Sequence, residues 1–394
     1  MKFVKFAALL ASVIVLSAQS APNPVVEHYR AYRTALEAGD WTRAEAEAAA
    51  AYDASVERSG DGGSTVALAV NLAQTRLSLG KTAQAYEPAL RAYNAVSASD
   101  EPTVDPLMAA LILGRSELTD EHWRSGRDRL LRLFDDVGER NDLRGEAYLA
   151  AAELGRDLVL RGDNGRAITA WSFASDFADA AGGDQVYARA EARLGEGVAR
   201  LVATWVARDD AQRRPTDTRL GFRAEDQLNA ANRAFTEARI LLQDAAHIAV
   251  EDGGVTVAQR KYADTLAWST LLDAYIESWD LPVGNIVDVS DEFASAPSTR
   301  PANPCDVELV DDPEPNFPAG GRSRASVGAV VLRAALQSNG EYGPMHVVSA
   351  VPDAWFQPEV ERVASQWRLE IDRTSSPSCE VEPISFVSYR FYFR

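Results

Sequence analysis

Lysine is nearly absent from this chain. It occurs only at Lys2, Lys5, Lys81 and Lys261, while lysine and arginine together number 40. Cationic chemistry here is therefore arginine chemistry: a planar guanidinium that holds carboxylates through paired hydrogen bonds. The cations are also outnumbered. The formal net charge is -18, which disfavours phosphate backbones and anionic membrane surfaces as partners, since both need clustered positive charge. Histidine is scarce as well. His28, His122, His247 and His346 are scattered, and no two fall at metal-ligand spacing. There is no HExxH, GxSxG, Walker or GxGxxG pattern. The many carboxylates sit on helical faces, where they read as solvating charge. The chain is expected to be non-enzymatic, with no cofactor and no metal.

Long hydrophobic runs are missing too. No stretch after the first residues approaches the ~20 apolar residues of a membrane span. The opening has the three-part shape of a secretory signal: Lys2 and Lys5, then the uncharged run Phe6–Leu16, then Ala18-Gln19-Ser20 with small residues where a signal peptidase reads. Cleavage is expected after Ser20, giving a signal peptide over 1–20; the alternative is an uncleaved anchor. No cysteine follows the apolar run, which argues against a lipoprotein. About 374 residues then remain, enough for two or three domains. Cysteine occurs only at Cys305 and Cys379. In an exported chain such a pair reads as a disulfide, which would stabilise by roughly 4 kcal/mol in the chain-entropy model. Two free thiols or a metal site are the alternatives, and no further ligands cluster there for the latter.

What is present is a repeat. Gly39, Gly80 and Gly162 end helical patterns, 41 and 82 residues apart, and the missing member falls at Glu121. Other columns keep the same step. Leu36, Leu77, Leu118 and Val159 precede the turn; Ala31, Leu72, Leu113 and Leu154 form an apolar column; Tyr32, Ala73, Gly114 and Gly155 are mostly small. After the turn come Ala44, Ala85, Gly126 and Ala167, then Ala48, Ala89, Leu130 and Trp171, then Ala51, Ala92, Leu133 and Ala174. Each unit reads as two helices whose apolar faces follow the 3.6 period. No unit buries its face alone, so the units stack. Beyond the fourth, the register slips: Leu194-Gly195 repeats the Leu-Gly pair after 40 residues. The helix then runs to about Arg208. The segment Asp209–Ala224, with Pro215, reads as a polar insert, a spacer rather than a contact loop. Ala231, Phe235 and Ala238 resume the pattern, and Thr256–Trp279 reads as a terminal capping helix.

These columns resemble the tetratricopeptide (TPR) repeat over residues 24–280, carried by Leu113-Gly114, Leu154-Gly155, the turn glycines and Ala44, Ala85 and Ala167. The step exceeds the family's usual length of about 34 residues, implying longer helices. The resemblance implies a concave groove lined by first helices. One column expected to face it is Arg33, Gln74, Arg115 and Arg156, which would grip acidic side chains or a C-terminal carboxylate. The alternative is plain solvated arginine.

The texture changes after Asp280. Residues 281–304 read as a linker rich in Pro, Ser, Ala and Asp. Ala329–Leu336 and Met345–Val351 are strand-like around the turn signal Asn339-Gly340. Phe356–Trp367 has helical spacing, and Ile384–Phe393 closes as an aromatic strand. The order β-β-α-β predicts one helix on a small antiparallel sheet, so the expected fold is an all-α repeat array followed by a small α+β domain.

Residues 305–394 resemble the TonB C-terminal domain. The landmarks are Pro315-Asn316-Phe317-Pro318, Val327–Arg333, Asn339-Gly340, Val347–Ala350, Phe356 opening the helix, Trp367-Arg368-Leu369 ending it, and the closing aromatic strand. Two departures stand out: the Cys305/Cys379 pair, and Pro344, which predicts that the second strand starts late or lies at an edge. The resemblance implies binding rather than catalysis, by adding a partner's strand to the sheet edge. That edge would be Ser388, Tyr389, Arg390, Phe391, Tyr392 and Phe393, unless the strand merely completes the sheet. The expected function is a periplasmic scaffold or adaptor that binds a protein or peptide of the cell envelope through groove and edge. The alternative is a component of energy-coupled outer-membrane transport, anchored in the inner membrane and engaging an outer-membrane receptor.

Overall fold

The computed structural model describes residues 23–138, 140–180, 185–213, 218–250, 254–278, 301, 303–310, 313–315, 327–374 and 378–392, with the side chains of 207–213, 218–223 and 392 left out. The expected signal peptide, the segment 281–300, Asn316-Phe317-Pro318 and Phe393 lie outside the described residues. The fold is mostly helical, with a small two-sheet β part towards the C-terminus. The chain divides into two compact units, one up to residue 182 and one from residue 183 on.

The first unit is a run of helical hairpins: α1 (Pro24–Glu37), α2 (Trp41–Ser59), α3 (Gly63–Ser78), α4 (Thr82–Ser97), α5 (Pro106–Ser116), α6 (Trp123–Val137), α7 (Arg144–Leu160) and α8 (Asn164–Ala180). The second helices begin at Trp41, Thr82, Trp123 and Asn164, which keeps the 41-residue step. Glycine sets three of the turns. Gly39, Gly80 and Gly162 sit at φ of 72°, 70° and 75°, the left-handed conformation that glycine adopts without steric cost. Each turn closes as a Schellman cap: around Gly80, for example, Gly80 N donates to Leu77 O at 2.9 Å and Lys81 N to Arg76 O at 2.8 Å. At the third turn, Glu121 stands where glycine would be. There α5 stops early at Ser116, and residues 117–122 make a longer turn.

Complementary sizes hold each hairpin together. A Cβ on Gly114 would lie 2.6 Å from Leu130, and one on Gly155 would lie 2.7 Å from the Trp171 indole. In the earlier hairpins the same two columns pair Tyr32 with Ala48 and Ala73 with Ala89, all buried. Three of these four pairs set a large side chain against a small one, as close packing requires; Ala73 and Ala89 are both small. Ala31, Leu36, Leu118, Leu133 and Val159 of the columns are half-buried, and Phe134 beside Leu133 is buried.

The second unit contains α9 (Val186–Arg213), α10 (Thr218–Ala246), α11 (Val257–Glu277), β1 (Asp306–Val310), β2 (Val327–Ala335), β3 (His346–Val351), α12 (Gln357–Ala364), β4 (Arg368–Asp372) and β5 (Ile384–Tyr392). Most of the segment read as a polar insert is therefore helical, since α9 runs to Arg213 and α10 starts at Thr218; Pro215 lies outside the described residues. Gly197 lets α9 approach α10, since a Cβ there would meet Phe235 at 2.5 Å.

The main sheet has the antiparallel order β3-β2-β5. It forms the middle of three layers. On one side, Val327, Ala329 and Val331 join Leu228, Phe235, Ala267, Leu271 and Tyr275 in one core. On the other, Val330, Leu332 and Ala334 join Phe356, Val360, Val363, Trp367 and Phe391. Close approach needs Gly328, because a Cβ there would lie 2.2 Å from Phe356. Helix α11, expected to be a terminal cap, is instead an interior helix. Ala258, Tyr262, Ala263, Thr265, Ala267, Leu271, Leu272, Ala274 and Tyr275 are buried around it. Buried positions run round most of the helix, leaving Arg260, Asp273 and Glu277 exposed, and the sheet supplies part of the cover. As Pro344 predicted, β3 starts late, at His346, and lies at an edge. The helix expected over Phe356–Trp367 is shorter. A 3-10 turn at Ala354–Phe356 leads into α12, Trp367 lies beyond its end, and Arg368-Leu369 open β4.

Candidate functional site

Four arginine-row positions were expected to line a groove, and their surroundings differ. Arg33 is exposed and lies 3.7 Å from Glu37 one turn along α1. Arg156 is exposed on α7. Gln74 and Arg115, by contrast, are drawn into one network through α7. Arg115 is 3 % exposed. Its Nε and Nη2 donate to the two oxygens of Glu153 at 2.8 and 2.6 Å, and its Nη1 donates to Glu146. The Gln74 amide reaches the other oxygen of Glu146 at 3.2 Å. Three first helices, α3, α5 and α7, are thereby tied together. Burial alone would lower the Arg115 pKa, but Glu146 and Glu153 more than offset it, and the guanidinium is held charged above its ordinary range.

At the centre of the expected row, Arg115 is buried and directs Nε, Nη1 and Nη2 at two carboxylates. The cause is the shortened α5, whose residues from Met108 to Ser116 are all buried between neighbouring helices. The signal was present in the sequence: Glu146 and Glu153 are two helical turns apart on α7 and so share a face. Two open surface depressions of about 600 and 660 Å³, around Arg91 and around Trp123, contain none of the expected residues.

The expected strand-addition edge fares differently. β5 pairs with β2 from Val327↔Tyr392 to Ala335↔Ile384 and lies at the end of the sheet order. Its two faces are anchored. Tyr389 and Phe391 stack among Trp367 and Phe356, with ring centroids 5.7 Å (Trp367–Tyr389) and 4.9 Å (Phe356–Phe391) apart. On the helix side, Phe386 meets Tyr262 at 5.0 Å and His247 at 5.5 Å, and Arg390 pairs with Glu277 at 2.9 Å. His247 Nδ1 lies 2.7 Å from the Gln243 carbonyl, so it must donate there, leaving Nε2 3.7 Å from Glu382. Phe391 is buried and Tyr389 half-buried; Ser388 and Arg390 are exposed. Tyr389 and Phe391 of the expected edge thus serve the core, while Ser388 and Arg390 are exposed.

The cysteines are joined: Cys305 and Cys379 form a disulfide across a sequence separation of 74. Among the described residues, no group of three or more His, Cys, Asp or Glu side chains is placed to hold a metal ion. Among them, too, no helix is long and apolar enough to cross a membrane. No family model, curated protein or solved structure matches the chain.

Proposed function

We propose that the protein is an exported, non-enzymatic adaptor of the periplasm that captures a protein or peptide segment by strand addition at the outer edge of β5. The observation that carries this reading is the position of β5, a nine-residue strand at the end of the β3-β2-β5 sheet. Its side chains are braced on both faces, so the edge is held in place before a partner arrives, which lowers the ordering cost of binding. An edge strand offers main-chain donors and acceptors to an extended segment. The disulfide supports an oxidising compartment. The TPR-like repeats and the TonB C-terminal-like domain of the sequence reading fit the same role, the hairpins as scaffold and the sheet as reader. We assign capture to the edge rather than to the first-helix row because Arg115 is spent on Glu146 and Glu153.

Site-specific photo-crosslinking in cells tests this. A crosslinker at Ser385 or Ser388 is expected to give a discrete adduct with an envelope protein. Adducts from Arg33 or Arg156 with none from β5 would return the function to the helices, and adducts from neither would sink both. N-terminal sequencing of the same material separates a periplasmic protein starting near Ala21 from an inner-membrane-anchored transport component that keeps Met1.

A further inference from the structure

The strands β1 and β4 stand apart from the main sheet. Among the described residues they form their own two-stranded sheet, antiparallel from Asp306↔Asp372 to Val310↔Arg368. Isolated two-stranded ribbons are marginal in water. This one has no buried residue in either strand, whereas β2 is buried at all but its last position. Its register also works against it. Glu308 lies directly opposite Glu370, and Asp306 opposite Asp372. Like charges at directly opposed positions repel. The other face offers only partial cover, with Leu309 and Leu369 half-buried against the α12 core.

What holds the ribbon's open end is the Cys305–Cys379 bridge. Cys305 immediately precedes β1, its N–H donates to Glu380 O at 3.0 Å, and Glu380 N donates to Asn303 O at 3.0 Å. At the far end, the Trp367 indole donates to Pro313 O at 3.2 Å. The core of the main sheet, by contrast, is built from β2, β5, Phe356 and α12, with no fully buried contribution from β1 or β4.

We infer that the disulfide is a redox latch on the β1–β4 ribbon: oxidised, it keeps the self-repelling strands paired; reduced, it lets β1 leave while the three-stranded sheet stays folded. Cys305 is buried and Cys379 is more exposed, so the Cys379 sulfur is the one open to attack. A dithiol reductant attacks it through one thiolate. The S–S bond breaks, Cys305 departs as a thiolate and takes up a proton, and the second thiol of the reductant resolves the mixed disulfide. Two electrons and two protons pass to the protein, giving two cysteine thiols, and the dithiol leaves as its own disulfide. The freed β1 uncovers the edge of β4 beside Leu369 and Ile371.

Hydrogen exchange on the full chain, oxidised and after treatment with dithiothreitol, tests the latch. Peptides over 306–310 and 368–372 are expected to exchange about tenfold or more faster than those over β2 and β5 in the reduced protein. A Cys305→Ser/Cys379→Ser variant should reproduce this without reductant. Equal protection of ribbon and sheet in the reduced protein would overturn the inference, and so would their loss together, which would make the bridge a staple of the whole unit. Glu308→Gln with Glu370→Gln should slow ribbon exchange severalfold in the reduced protein; no change would overturn the account of why the ribbon opens.

Discussion

Helices α5 and α11 are both largely buried, one in each unit, but by different kinds of neighbour. Around α5 lie its hairpin partner α6 and, from adjoining repeats, α3, α4 and α7. Around α11 lie α9 and α10 on one side and the strands β2, β3 and β5 on the other. The first arrangement is built from contacts between near neighbours in the chain, the second from contacts across long separations. The two also differ in polarity. Into its enclosed space α5 brings a guanidinium, which forces α7 to supply Glu146 and Glu153. The interior faces of α11 carry hydroxyls and an amide that bond locally: Thr265 donates to Lys261 O at 2.8 Å, and Gln259 completes the capping box with Thr256. The repeat unit thus depends on one charged hub, while the composite unit depends on apolar fit between helix and sheet.

The sharpest way to break that contrast is at the hub. Arg115→Ala should destabilise the first unit by about 3–5 kcal/mol, because it leaves two carboxylates without their buried cation. Hydrogen exchange should rise in α5 and α7 and stay unchanged in β2; an effect under about 1 kcal/mol would show that the network is dispensable. Next come the close-approach glycines. Gly155→Ala pushes a methyl into the Trp171 indole and Gly328→Ala pushes one into Phe356, at 2.7 and 2.2 Å respectively. Each should cost about 1–3 kcal/mol, the first read in α7 and α8, the second in β2 and α12. If either change were neutral, the size complementarity drawn above would be wrong at that place. Smaller again is the turn chemistry: Gly80→Ala should cost about 1–2 kcal/mol for its left-handed backbone, whereas Glu121→Ala at the glycine-free turn should stay within about 0.5 kcal/mol. Matched thermal melts of the two variants decide this.

The smallest effect concerns pH and sits in the second unit. Burial pushes the Asp264 carboxyl on α11 up, and its hydrogen bond with Ser349 only partly opposes this. A carboxyl raised in the folded state contributes stability that is fully present below the unfolded pKa and lost as pH rises through the folded one. Wild type should therefore lose stability relative to Asp264→Asn as pH rises above the ordinary carboxylate range. Superimposable pH–stability curves for wild type and Asp264→Asn would refute the assignment.

Much of the first unit was legible because its signals are local and periodic. The turn glycines, the small–large columns and the 41-residue step survive into the structure, since caps and hairpin packing involve residues close in sequence. The row Arg33, Gln74, Arg115 and Arg156 contains two exposed arginines, a half-buried glutamine and a buried arginine. Position in a repeat places a residue on a face; it does not say whether the neighbouring repeat will cover that face. In the second unit, β2, β3 and β5 were legible from alternation and the Asn339-Gly340 turn. The ribbon was not, because β1 and β4 are five residues each and become strands only by meeting one another.

By itself, the sequence determined the hairpin register, the turns and the strand-like runs of the C-terminal part. The tertiary structure alone decided that Arg115 is an interior tie, that α11 is roofed by the sheet, and that Tyr389 and Phe391 turn into the core while Ser388 and Arg390 stay exposed. The physical reason is that propensity and periodicity act within a few residues, whereas burial depends on which distant surfaces meet.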